Sequence, residues 1–152
     1  MIESIINKDI VDLNVEVENW EGAVKFAGDI LVKNNKVKEE YIEAMIGTVK
    51  EIGPYIVMAP GIAMPHARPE CGVIDSGISI ITLKEPVNFG NKEFDPVKLI
   101  FALCAKENES HIELIKDLSV ILDDNEIIEK CSHIETKDEL IEILLESYNN
   151  NK

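Results

Sequence analysis

Val11, Leu13, Val15 and Val17 alternate with Asp12, Asn14, Glu16 and Glu18, the period-two pattern of a half-buried strand. The period then changes. Trp20, Ala23, Val24, Ala27, Ile30 and Leu31 fall on one face of a helix that Asn19 can cap and that runs to about Lys33. After Asn34-Asn35 a second helix turns Tyr41, Ile42, Met45, Ile46 and Val49 inward, and Gly53-Pro54 stops it. Short extended pieces are expected at Tyr55–Met58 and Ile62–Met64, around a Pro60-Gly61 turn. Gly77–Leu83 and Val97–Ala105 are unbroken apolar runs, as in strands buried on both faces, with a polar connection from Lys84 to Pro96. Three helices follow: Ser110–Leu122, Asn125–Cys131 and Thr136–Tyr148. The first and third open on the capping-box patterns Ser110–Glu113 and Thr136–Glu139. Asn149–Lys152 is expected to fray.

A strand, two helices, a group of strands and a closing set of helices predict an α/β sandwich around a mixed sheet flanked by helices. With no internal repeat or linker, residues 1–152 read as a single domain. An apolar content of 45% is enough for a core. The charge, 29 acidic against 15 basic residues for a net −14, disfavours nucleic acid and anionic membranes. It suits basic protein surfaces, or simply solubility. Neither a signal peptide nor a bilayer-spanning run of about 20 apolar residues is present, so a soluble, cytoplasmic protein without membrane insertion is expected. Three irregularly spaced cysteines make no disulfide framework.

The unusual chemistry lies in Gly61-Ile62-Ala63-Met64-Pro65-His66-Ala67-Arg68-Pro69-Glu70-Cys71-Gly72. Pro65 and Pro69 fix the backbone on either side of His66 and Arg68, and Gly61, Ala63 and Ala67 leave room for an approaching molecule. A stiff loop that presents a neutral imidazole can carry a nucleophile near pH 7; the plainer reading is a histidine bonded to a nearby carbonyl. His111, with Ser110 as N-cap, would stand in the first turn of a helix, where free N–H groups favour an anion, or would simply face water. Arg68 offers a planar donor to phosphoryl oxygens, or an ion pair with Glu70 or another carboxylate. His133 has no accompanying motif. Phosphoryl transfer needs placement and charge stabilisation more than covalent machinery, so these groups suffice without a metal or cofactor.

Cys71, five residues after His66, raises the alternative of a Cys–His thiol hydrolase, although no oxyanion-forming segment accompanies it. His66, Cys71, Cys104 and His111 lack metal-ligand spacing, and Cys104 reads as a small core residue. There is no P-loop and no dinucleotide fingerprint.

Gly61-Ile62-Ala63-Met64-Pro65-His66 resembles the active-site signature of the mannitol/fructose class (type 2) of enzyme IIA in the phosphoenolpyruvate-dependent sugar phosphotransferase system. The likeness extends through Trp20, Tyr41–Met45, Gly53-Pro54-Tyr55 and Glu109-Ser110-His111, and Ala67-Arg68-Pro69-Glu70 is similar to the ascorbate-type branch. The resemblance implies a phosphoryl carrier. Phospho-HPr would phosphorylate His66 at Nε2, and a cysteine of enzyme IIB would accept the group during sugar uptake. His111 would steady the phosphoryl group without being phosphorylated. The arginine that the mannitol branch carries at the end of the second helix falls at Thr48 or its neighbours here, which leaves Arg68 to take over its role. A free-standing carrier is expected; a regulatory IIA-like module, whose phosphorylation a partner senses, is the alternative.

Overall fold

The computed structural model covers residues 1–152. A short helix, α1 (Ile2–Ile5), leads through a 3-10 turn into β1 (Val11–Val15), and α2 (Trp20–Lys33) and α3 (Glu40–Ile52) follow. Then come β2 (Val57–Ala59), β3 (Ile62–Ala63), β4 (Gly77–Val87), β5 (Val97–Cys104), α4 (Asn108–Leu122), α5 (Ile127–Cys131) and α6 (Lys137–Asn151).

The five strands form one sheet in the order β1-β4-β5-β3-β2. It is mixed: β1 lies parallel to β4 and β3 to β5, while β4–β5 and β2–β3 are antiparallel. The unbroken apolar runs form the two central strands, and from Gly77 to Leu83 every residue of β4 is buried. Consecutive strand residues point to opposite faces, so both faces are covered. One cover is α2, whose Ala27 carbonyl accepts a 2.7 Å bond from the Ser79 hydroxyl of β4, with α3 beside it. A second helical group is α4, α5 and α6. The buried apolar residues form one connected cluster drawn from both groups and the sheet. The α/β sandwich with a mixed sheet expected from the pattern is the fold.

Local signals explain most boundaries. The Asn19 side chain accepts from the Gly22 N–H at 2.9 Å and starts α2. Gly28 lets α2 close on α3, since a Cβ there would lie 2.6 Å from Ile42 Cγ1. Gly53, at φ +109°, ends α3 in a conformation that side-chain-bearing residues rarely adopt. At α6, Thr136 Oγ1 accepts from the Glu139 N–H at 3.2 Å and donates to the Glu139 carboxylate at 3.1 Å, a capping box closed through the hydroxyl.

Several boundaries differ from the pattern, among them the start of α5, which is Ile127 and not Asn125. The helix expected from Ser110 starts at Asn108, with Glu107 in the N-cap position and no side-chain cap. β4 runs on through Lys84–Val87, where Val87 pairs with Val97 beyond a register irregularity. That extension is polar because it leaves the covered part of the sandwich. α6 reaches Asn151, whose side-chain amide bonds the Ser147 carbonyl at 2.8 Å, so the expected frayed tail is helical almost to its end. Tyr55 lies in a turn, and β2 begins at Val57.

Candidate functional site

His66 follows β3 in a segment held on three sides. The Met64 N–H donates to Ile56 O at 2.7 Å and the Leu103 N–H to Pro65 O at 3.0 Å. The Ala67 N–H donates to the Tyr41 hydroxyl at 2.9 Å, and that hydroxyl donates to Leu103 O at 2.8 Å. Met64 and Pro65 are buried, and the half-buried imidazole of His66 is the first ring to emerge.

His66 Nδ1 lies 2.8 Å from the Met64 carbonyl. A carbonyl only accepts, so the proton of the neutral ring is assigned to Nδ1 and the lone pair is left on Nε2. The plainer sequence reading of His66 holds, since the ring bonds a nearby carbonyl, and that bond leaves Nε2 without a hydrogen-bond partner in the fold.

His111 stands beside it, with ring centroids 5.6 Å apart and planes tilted by 53°. Burial, and secondarily the neighbouring His66, lower its pKa, so His111 is a neutral donor near pH 7. Its position in the helix differs from the expected one. His111 belongs to the second turn of α4, with its own N–H already bonded to Glu107 O at 3.0 Å. The free N–H groups at this helix end belong to Asn108, Glu109 and Ser110. Tyr55 also meets His66 edge-on, with ring centroids 5.7 Å apart.

His66, Arg68 and His111 all line one open cleft of about 630 Å³, together with Thr48, Tyr55 and Asn108. Arg68 is the only arginine in the chain, is exposed, and takes part in none of the ion pairs, so the suggested pairing with Glu70 does not occur. Thr48 occupies the same cleft, but its hydroxyl is turned back onto Ala44 O at 2.7 Å. His133 is exposed elsewhere and bonds Glu129.

Cys71 reaches the cleft wall without hydrogen-bonding either histidine, which leaves the thiol-hydrolase reading without its Cys–His pair. Cys104 is buried, as expected of a core residue, and burial pushes its thiol up to about 12. No cluster of His, Cys, Asp and Glu side chains is arranged to hold a metal.

An imidazole nitrogen with a free lone pair, a neutral second imidazole and an unpaired guanidinium on one cleft can accept a tetrahedral anion and hold its oxygens. Residues 4–147 match the family model described as "Phosphoenolpyruvate-dependent sugar phosphotransferase system, EIIA 2". The chain belongs to this enzyme IIA family. Its members are phosphotransferases that work through a phosphohistidine. This IIA chain is 34% identical to the ascorbate-specific PTS system EIIA component of Escherichia coli K12 over 143 residues, 93% of each chain. Among solved structures it is similar to the cryptic mannitol-specific enzyme IIA of E. coli, with a TM-score of 0.84, 34% identity and coverage of 94% and 97%. It is also similar to the E. coli mannitol IIA structure determined as a complex with phosphorylated mannitol IIB, with a TM-score of 0.82, 31% identity and coverage of 93% and 97%. No helix of the IIA chain is long and apolar enough to cross a membrane.

The sequence missed the polar part played by Tyr41, which the pattern placed simply on an inward face. A fully buried tyrosine must find partners for its hydroxyl, and that requirement was the available signal. Tyr55 was read as the start of an extended piece, and the Gly53-Pro54 stop just before it was the available signal that it stands in a turn on the cleft.

Proposed function

We propose that this chain is a single IIA unit that carries a phosphoryl group on His66 Nε2, between phospho-HPr and a cysteine of an enzyme IIB. The observation that carries the reading is the Nδ1 bond to Met64 O, which leaves Nε2 free on the cleft side. Attack of the Nε2 lone pair on the phosphorus of phospho-HPr forms the new P–N bond and breaks the donor's, and the IIB thiolate reverses the arrangement. His111 donates to one phosphoryl oxygen and is not itself phosphorylated. Arg68 swings onto the others, supplying the fixed charge that Thr48 cannot.

The rim supports protein partners. Ile52 is 70% exposed, Ile112, next to His111, 65%, and Tyr55 stands between α3 and β2, an apolar ring of the kind that protein interfaces cover. Glu51, which lines the cleft, and the exposed Glu107 and Glu109 next to its Asn108 favour a partner with basic residues at its own rim. The similarity to ascorbate-specific components supports an ascorbate-like sugar acid as the transported substrate. Reconstituted transfer from phosphoenolpyruvate through enzyme I and HPr, compared between wild type and His66→Ala, tests the reading.

A further inference from the structure

β3 runs parallel to β5 with Ile62 opposite Leu99 and Ala63 opposite Ile100. Continued residue by residue, this register sets His66 opposite Leu103. The Leu103 N–H does donate to Pro65 O at 3.0 Å, the bond a parallel ladder places there. The next bond of that ladder would run from the Ala67 N–H to Leu103 O. It is absent, and the Tyr41 hydroxyl stands in its place, accepting from Ala67 at 2.9 Å and donating to Leu103 at 2.8 Å. Ala67 O, at 3.1 Å, is a second and longer acceptor for the same proton. The preceding bond, from residue 65 to Phe101 O, cannot form because proline has no N–H. One side chain and one proline thus peel the chain from β5 on either side of His66.

We infer that Tyr41 is a positioning residue for phosphoryl transfer: its hydroxyl, inserted as a spacer between Ala67 and Leu103, sets the backbone that aims the His66 imidazole and releases Arg68 into the cleft. Two bonds through an oxygen replace one, so Ala67 is held farther from β5 than a direct ladder bond allows. The chain can then leave the sheet into the 3-10 turn Pro69–Cys71. Tyr41 is fully buried, and it reaches the segment from α3. The helix that carries Thr48 on the cleft wall therefore also sets the loop that carries His66 and Arg68 into the same cleft.

The test is Tyr41→Phe, which keeps the ring and removes the spacer. Without it Ala67 and Leu103 either close on each other or are left unpartnered, and both displace the peptide on which His66 sits. The variant should lose about tenfold in the maximal rate of phosphoryl transfer from phospho-HPr, because a misplacement of about 1 Å can cost up to about 100-fold. KM for phospho-HPr should stay within about twofold. The ring ¹⁵N shifts of His66 should move from the Nδ1–H form toward a mixture of tautomers. An unchanged maximal rate together with unchanged ring shifts would overturn the inference.

Should the variant not fold, the wild-type protein decides. A Tyr41 hydroxyl proton in slow exchange, with a nuclear Overhauser contact to the Ala67 amide, supports the spacer, and an unprotected Ala67 amide rejects it. The inference rests on His66 as the phosphoryl acceptor. A wild-type chain that takes no phosphoryl group defeats that reading, while the ring shifts of Tyr41→Phe, which need no transfer, still decide the role of Tyr41.

Discussion

His66 Nδ1 and the Met64 carbonyl, two residues apart in the chain, are 2.8 Å apart in space. The segment between them is Pro65, whose fixed φ limits how the imidazole can turn back on its own backbone. The bond predicts the site of modification. Phosphorylated protein should carry the group on Nε2 of His66, as read from the histidine ring ¹⁵N and ³¹P shifts. A phosphoryl group on Nδ1 would mean that the Met64 bond breaks before transfer and that the assigned tautomer is not the reactive one.

Arg68 and Thr48 line the same cleft, and of the two only Arg68 carries charge. Arg68→Ala should slow transfer from phospho-HPr by about 100-fold, the scale of losing one strong oxyanion donor. Adding Thr48→Arg to that variant should restore a large part of the rate, since the side chain would enter the same cleft from α3. Single-turnover kinetics on the single and double variants check this. A double variant as slow as Arg68→Ala would show that the position of the charge, and not its presence, is what matters.

His111 should make acid stability steeper. Its folded-state pKa is lowered, so between that value and the ordinary histidine value of about 6.5 the unfolded chain binds more protons than the folded one. Its contribution is therefore present above about pH 6.5, declines as the pH falls through that value, and levels off below the folded pKa. Urea unfolding at pH 7.5 and pH 5 should show a smaller loss on acidification for His111→Gln than for wild type. Equal losses would contradict the burial of this ring.

Asp117 on α4 predicts a purely structural effect. Its buried carboxylate accepts from the Ile2 N–H at 3.1 Å and the Tyr148 hydroxyl at 3.1 Å, with the Met1 amino group 3.3 Å away. Burial works against the charge, and these donors outweigh it, holding the pKa below the usual value. Asp117→Asn should cost about 2 kcal/mol at pH 7. The cost should shrink as pH falls through the lowered pKa, where the wild-type carboxylate also loses its charge. Transfer by the folded variant should be unchanged, and a variant as stable as wild type would contradict the account.

The sequence pattern carried the architecture because the signals were local or doubled. β4 and β5 were legible as unbroken apolar runs, α2 as a periodic face behind Asn19, and the loop around His66 as two prolines bracketing an imidazole. The start of α4 was misplaced because Ser110 and Glu113 imitate a capping box, while the chain leaving β5 needs only Ala105–Glu107 to reach its first helical residue. The proximity of Thr48, Arg68 and His111 rests on the strand order, and a register between distant strands leaves no mark in any single segment. Tyr41 was hidden for the opposite reason: it fits an inward helical face so well that its ring accounted for its position and its hydroxyl went unread.

The most direct test of the account is intact mass after incubation with phosphoenolpyruvate, active enzyme I and HPr, on wild type and a folded His66→Ala variant. Wild type should carry a single acid-labile phosphoryl group and the variant none. Phosphorylation of His66→Ala, or none on folded wild type with the upstream proteins shown to be active, would contradict it.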